Sequence, residues 1–189
     1  MPMYHSHSLL TPELTGWEMA GAGGFRPVEG GAIESYGGSG LLWYAAQIYE
    51  NFILKVEWRV MRGDDNSGVF IRCPPLADDI RPAIDRGYEI QIDDQGHDPE
   101  RDVYKSSLHI TGAIYKLAPA RIVTSRGAAL WNQFEITARG GLISVVLNGE
   151  EVSGLTDASR EPRGHIALQA HHEGSRVQFR DLQVRRLED

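Results

Sequence analysis

Glu89, Gln91 and Asp93 alternate with Tyr88, Ile90 and Ile92 near the middle of a 189-residue chain. A period of two puts the three polar groups on one face of a strand and the three apolar ones on the other. Neighbours on that polar face stand about 6.5 Å apart, so Glu89 and Asp93 are about 13 Å apart at Cα. An ordinary solvated strand face favours Thr, Lys and Arg, whereas this one lines up two acids and an amide. Such groups suit the hydroxyls of a sugar or a hard cation. The segment before it, Asn66-Ser67-Gly68-Val69-Phe70-Ile71-Arg72, adds Arg72 to the same surface. The competing reading is a solvated face with no ligand, which half-buried antiparallel strands carry as a rule.

The surrounding elements are strands. Phe52, Leu54, Val56, Trp58 and Val60 alternate with Lys55, Glu57 and Arg59, which predicts a strand with an apolar inner face. Asp64-Asp65-Asn66 turns the chain into Val69–Cys73. Residues 74–86 hold three prolines and read as a long loop over the sheet. Strands are expected again at 134–137 and 142–147, where Asn148-Gly149 gives the strongest hairpin signal because both residues tolerate positive φ. A further alternating run, 165–171, sets Gln169 and His171 opposite Ile166 and Leu168, and 177–187 forms the last strand. No stretch of 12 or more residues has helical periodicity, so the class is all-β, a sandwich or barrel. Residues 1–14 read as a poorly ordered lead-in, and 15–189 as one domain.

Composition narrows the functions. A hydrophobic content of 41% with 24% charged residues is that of a globular domain. The formal charge of −7 disfavours nucleic acid as a partner, because neutralising phosphates needs a basic surface. The single cysteine, Cys73, excludes an internal disulfide and a cysteine zinc site, and it reads as a buried small hydrophobe. No 18-residue apolar run exists, so no membrane-spanning helix is expected. The first residues lack the basic and apolar regions of a secretion signal, which gives cytoplasmic as the expectation, or secreted if a signal once preceded them. Oligomeric state is left open.

Taken in order, Trp58-Arg59, Asn66-Ser67-Gly68-Val69-Phe70-x-Arg72, Gly87-Tyr88-Glu89-x-Gln91-x-Asp93, Thr111-Gly112-Ala113-Ile114-Tyr115, Trp131-Asn132, Leu147-Asn148-Gly149 and Gly164-x-Ile166-x-Leu168-Gln169-x-His171 resemble one family. It is the 3-keto-disaccharide hydrolase domain family, and the resemblance runs over about residues 16 to 187. It implies a concanavalin A-like or laminarinase-like jelly roll, a β-sandwich of two antiparallel sheets, one concave and holding the sugar. Glycosidases of that fold carry Glu-x-Asp-x-(x)-Glu, where this chain has Glu89-x-Gln91-x-Asp93. Gln91 removes the like charge that would raise a neighbour's pKa, and double displacement needs carboxyls about 5–5.5 Å apart.

A 3-keto sugar permits another route, since the ketone acidifies the hydrogen on C2. The resemblance then implies Glu89 and His171 as acid and base in either order, with Asp93 beside them. Arg59 or Arg72 would hold the enolate oxygen, and Asn66, Gln91, Gln169 and Tyr115 would bind substrate. A small carbohydrate is the expected partner and no cofactor is required. Asp64-Asp65 and Asp93-Asp94 offer calcium an oxygen site, against the plainer reading of acidic turn residues. The leading expectation is a hydrolase of 3-keto-glycosides acting by elimination and hydration. Its competitors are a non-catalytic carbohydrate-binding module and an interaction domain with no sugar site.

Overall fold

The computed structural model describes residues 6–188. Two antiparallel sheets face each other. The larger has eight strands: β1 (His7–Ser8), β3 (Gly24–Val28), β4 (Ala32–Tyr36), β6 (Phe52–Val60), β9 (Asn132–Arg139), β10 (Leu142–Leu147), β11 (Glu150–Leu155) and β13 (Val177–Arg186). The smaller runs in the order β2 (Trp17–Gly21), β5 (Gly40–Tyr44), β12 (His165–Ala170), β7 (Asn66–Cys73), β8 (Tyr88–Asp93). Consecutive strands alternate between the sheets in places, as a jelly roll requires, so the sandwich expected from the alternation is the fold found.

Period-two patterning builds the space between the sheets. Phe52, Leu54, Val56, Trp58 and Val60 of β6 are buried, and they meet Ile71, Tyr88, Ile90, Ile92, Ile166 and Leu168 from the smaller sheet in one core. Burying each such side chain contributes about 1.5–3 kcal/mol, and a single core holds them all. Asn148 and Gly149 turn β10 into β11 at φ 52° and 89°, the pair of positive values a two-residue hairpin loop needs.

Two features of the smaller sheet prepare the site. Its outer face is half covered by a second, smaller core, in which Leu41, Trp43, Phe70 and Ala167 pack under Leu76, Ile80 and Ala83. The covering segment is the proline-rich stretch read as a loop, and it includes a six-residue helix, α1 (Arg81–Arg86). The edge of β8 is also closed. Residues 111–115 pair along it through Gln91 N–H to Ala113 O (3.0 Å), Gly112 N–H to Gln91 O (2.9 Å) and Tyr115 N–H to Glu89 O (2.8 Å). Closing that edge fixes the backbone that carries Glu89 and Gln91.

One expectation is corrected. Residues 1–5 of the lead-in lie outside the described residues, but the rest of it is not poorly ordered. His7–Ser8 pairs with Val184 and Gln183 of β13, Leu9 is 2% exposed, and the Trp17 indole N–H donates to Leu9 O at 2.8 Å. An apolar side chain at position 9 and a spare edge on β13 are enough to hold it.

Candidate active site

Three neighbouring strands bring the polar side chains together. In β7–β8 the register sets Asn66 against Asp93, Gly68 against Gln91 and Phe70 against Glu89. In β12–β7 it sets Leu168 against Val69 and Ala167 against Phe70, so Gln169 comes beside Gly68. Asn66, Gly68, Glu89, Gln91 and Gln169 share the outer face of the smaller sheet, on the half that the second core leaves open. The result is a cavity of about 410 Å³ with Asn66, Glu89, Gln91, Gln169 and His171 from the sheet in its lining. Ile80 and Ile84 of the helical segment line it too, as do His97 and Pro99 of the following loop and Tyr115-Lys116 from the edge-closing turn.

Gly68 is what gives Glu89 its place. A Cβ there would stand 2.8 Å from Glu89 Cγ and 3.0 Å from Cδ, and closer still to Oε1. The carboxyl therefore lies over a bare stretch of backbone. Burial pushes its pKa from 4.5 to about 8, so at neutral pH the group is mostly a neutral acid. His171 goes the other way. Burial, and then the neighbouring His172, lower its pKa below 6.5 against the opposing pull of Asp93. The two imidazoles share a hydrogen bond between their Nδ1 atoms at 2.9 Å. With that proton on His171, its Nε2 keeps a free lone pair. A protonated acid and a neutral base thus line one cavity.

The amides are the second feature. Asn66 Oδ1, Gln91 Oε1 and Gln169 Oε1 are buried without a hydrogen-bond partner, and all three residues line this cavity. An unpaired buried polar atom costs about 1–3 kcal/mol, and few native structures keep three so close. A hydroxyl both gives and accepts a hydrogen bond, so a sugar satisfies such amides whichever end they present. Glu89 is the one carboxyl among the residues lining the cavity, and Lys116 the one lysine or arginine.

A family model described as the 3-keto-alpha-glucoside-1,2-lyase-like domain matches residues 9–185. The chain belongs to this family. A 3-keto-disaccharide hydrolase of Bacteroides thetaiotaomicron is 25% identical over 135 residues, which is 68% of this chain and 46% of that protein. The chain thus spans about half the length of that curated relative. A glycosyl-hydrolase candidate from Parabacteroides distasonis has the same fold at a TM-score of 0.79, with 23% identity over 97% of this chain and 100% of that one. A carbohydrate-binding module from Bacillus subtilis follows at 0.65, with 14% identity over 90% of this chain and 96% of that one.

Of the residues expected at the site, six line the cavity: Asn66, Glu89, Gln91, Tyr115, Gln169 and His171. Three do not, and each is corrected. Asp93 is buried, with one oxygen accepting the Gln95 N–H (2.9 Å) and the other the His97 N–H (3.1 Å). It caps the loop that carries His97. Arg59 lies on β6 in the other sheet, where it donates to Gln178 Oε1 at 2.8 Å and stacks 4.5 Å from the Trp131 ring. Arg72 sits at φ 52°, and its guanidinium donates to Glu50 O and Gly140 O at 2.7 and 2.8 Å. That pins two loops at one end of the sandwich. Arg72→Ala is therefore expected to act on folding, lowering stability by about 1–3 kcal/mol through loss of a buried side chain and of the hydrogen bonds that tie the two loops together. Denaturant unfolding checks this; intact stability with a raised KM would return Arg72 to the site.

Among the acids offered to calcium, Asp65 and Asp94 are engaged within the protein. Asp65 accepts the N–H groups of Met61, Arg62 and Arg176 at 2.9, 2.7 and 3.1 Å, and Asp94 accepts the Thr111 and Ser125 hydroxyls. Oxygens already taken by donors are poor cation ligands. Sequence reading missed Lys116, His97 and the two isoleucines. Lys116 had a signal, since it directly follows the quoted Tyr115 and is one of only three lysines, at 55, 105 and 116. His97 comes from a loop and the isoleucines from the α1 segment, whose course over the sheet no local pattern encodes.

Proposed function

We propose that this domain cleaves 3-keto-glycosides by removing the proton from C2, eliminating the C1 substituent and adding water. The observation that carries the reading is the lone carboxyl of the cavity, held protonated in a lining that also holds a neutral imidazole. Double displacement calls for a second carboxylate about 5–5.5 Å away, and Asp93 is spent on its loop. One acid and one base are the complement that elimination needs.

His171 Nε2 takes the C2 proton, and the electron pair moves onto the C3 oxygen as an enolate. The enolate collapses back to the ketone, a C1–C2 double bond forms, and the C1–oxygen bond breaks. Glu89 gives its proton to the departing oxygen. Water then adds at C1, giving its proton to the Glu89 carboxylate, and the imidazolium returns a proton to C2. Lys116, the one cation of the cavity lining and itself paired with Glu100, offers the enolate positive charge in place of the arginines expected from sequence. Asn66, Gln91 and Gln169 hold the hydroxyls of the ring.

The family description, with its 1,2-lyase chemistry, and the hydrolase named for the Bacteroides relative support the same route. A second reading, a binding module without turnover, draws on the three unpaired amides and on the Bacillus fold neighbour. One experiment separates them. A 3-keto-disaccharide is expected to be cleaved, with deuterium entering C2 of the product in deuterium oxide, while the unoxidised sugar binds uncleaved. Equal cleavage of both would favour an ordinary glycosidase, and binding without cleavage of either would leave a binding module.

A further inference from the structure

The loop after β8 carries a histidine that the proposed steps leave idle. His97 lines the cavity, and three contacts converge on it. Its own N–H donates to the buried Asp93 carboxylate at 3.1 Å. Its Nε2 stands 3.0 Å from Asp102 Oδ1, and its ring stacks on Tyr104 with centroids 4.7 Å apart at 29°. The loop itself is laddered. Lys105 N–H donates to Gln95 O at 2.8 Å, Ser106 N–H to Gly96 O at 3.0 Å and Asp98 N–H to Val103 O at 2.8 Å. His97 on one limb is therefore gripped by Asp102 and Tyr104 on the other. Asp102 reaches it from φ 51°, in the left-handed region that aspartate tolerates better than most side chains.

Stability does not account for this grip. The Asp102 side chain is 90% exposed and Tyr104 is 61% exposed, and an ion pair so open to water adds little. What the contacts fix is a tautomer. A carboxylate only accepts, so Nε2 carries the hydrogen, and in the neutral ring Nδ1 keeps its lone pair. Among the described residues Nδ1 has no hydrogen-bond partner. The amides of Asn66, Gln91 and Gln169 can present either end to a hydroxyl. His97 cannot turn over without losing Asp102, so it offers an acceptor and nothing else.

We infer that His97 is a specificity-determining residue of this site: its Nδ1 accepts the hydrogen of one hydroxyl of the bound ring, and so selects sugars that carry that hydroxyl free. This rests on the reading of the cavity as a sugar site, and not on the steps of elimination.

Nitrogen-15 spectra of the parent are expected to show His97 Nδ1 without a hydrogen, and a hydrogen there would overturn the inference. Titration calorimetry then tests the contact without turnover, using unoxidised methyl glucoside in both anomers and analogues lacking the hydroxyl at C2, C4 or C6. His97→Phe keeps the stacked ring without the acceptor, and is expected to bind methyl glucoside about tenfold more weakly, the worth of one hydrogen bond. One deoxy sugar is expected to bind parent and variant alike, because it brings no hydrogen for Nδ1 to accept, while the other two weaken as methyl glucoside does. His97→Asn sets a carboxamide oxygen near the place of Nδ1 and is expected to restore most of the difference. A merely structural ring predicts the reverse order, with Phe near the parent and Asn impaired for every sugar, and that result would overturn the inference. So would equal losses across all the deoxy sugars, or no binding of any of them. Loss of the coupling with 3-keto-glycosides still cleaved removes His97 and leaves elimination standing. Coupling kept with no cleavage removes elimination and leaves His97 in its role.

Discussion

Glu89→Gln is expected to lose about 10²–10⁴ of the cleavage rate, the usual worth of one acid–base group, and at neutral pH to melt higher than the parent. The second effect follows from the same burial as the first. In the native protein the carboxyl ionises at about 8 instead of 4.5. Between those pH values the unfolded chain has lost a proton that the native state retains. Stability therefore falls as pH rises through that interval, and the penalty is complete above about pH 8. Each unit is worth about 1.4 kcal/mol; with the side chain still partly open to solvent, about 2–3 kcal/mol is expected at pH 7. An amide of the same shape escapes the penalty, so the variant should melt about 4–12 °C higher at pH 7. Near pH 4, where both states of the parent are protonated, the advantage should vanish. Melting curves at pH 4 and pH 7 measure it, and equal curves at pH 7 would mean that Glu89 is solvated and ordinary.

The same two pKa shifts set the activity profile. The base must be neutral, which His171 achieves below the usual histidine range, and the acid must be protonated, which Glu89 remains up to about pH 8. The rate constant kcat/KM should be level around neutrality and fall on the alkaline side near pH 8.

How much of this was legible beforehand depends on the kind of signal. Tyr88, Ile90 and Ile92 went inward and Glu89 and Gln91 outward, because a strand's side chains alternate whatever it packs against. Asp93 obeyed the same alternation, yet its carboxyl turned to the Gln95 and His97 N–H groups, a capping role that the following loop decides. Arg72 was misplaced for a backbone reason. Its positive φ at the end of β7 redirects the side chain, and nothing about an arginine in an apolar run announces that. Arg59 obeyed its alternation and faced outward, but β6 joined the sheet that Glu89 does not belong to, which alternation alone does not tell. The motifs did carry Gly68, though without its purpose, which shows only when Glu89 is seen lying across it.

That purpose makes Gly68→Ala the sharpest test of the site's construction. The glycine has no positive φ, so alanine suits its strand backbone, and loss of glycine's unfolded-state freedom would by itself add stability. The new methyl meets only the Glu89 side chain among its nearest contacts, at 2.8 Å from Cγ and 3.0 Å from Cδ. A flexible side chain yields before a strand does, so the carboxyl should move and the fold remain. A shift of about 1 Å in a reacting group is worth about 10²-fold in rate. The variant is therefore expected to melt near the parent temperature while kcat falls about 10²-fold. Combined with Glu89→Gln, the two losses should not add, because both remove the same proton donor. Full additivity in that double-mutant cycle would show that Gly68 acts on something other than Glu89.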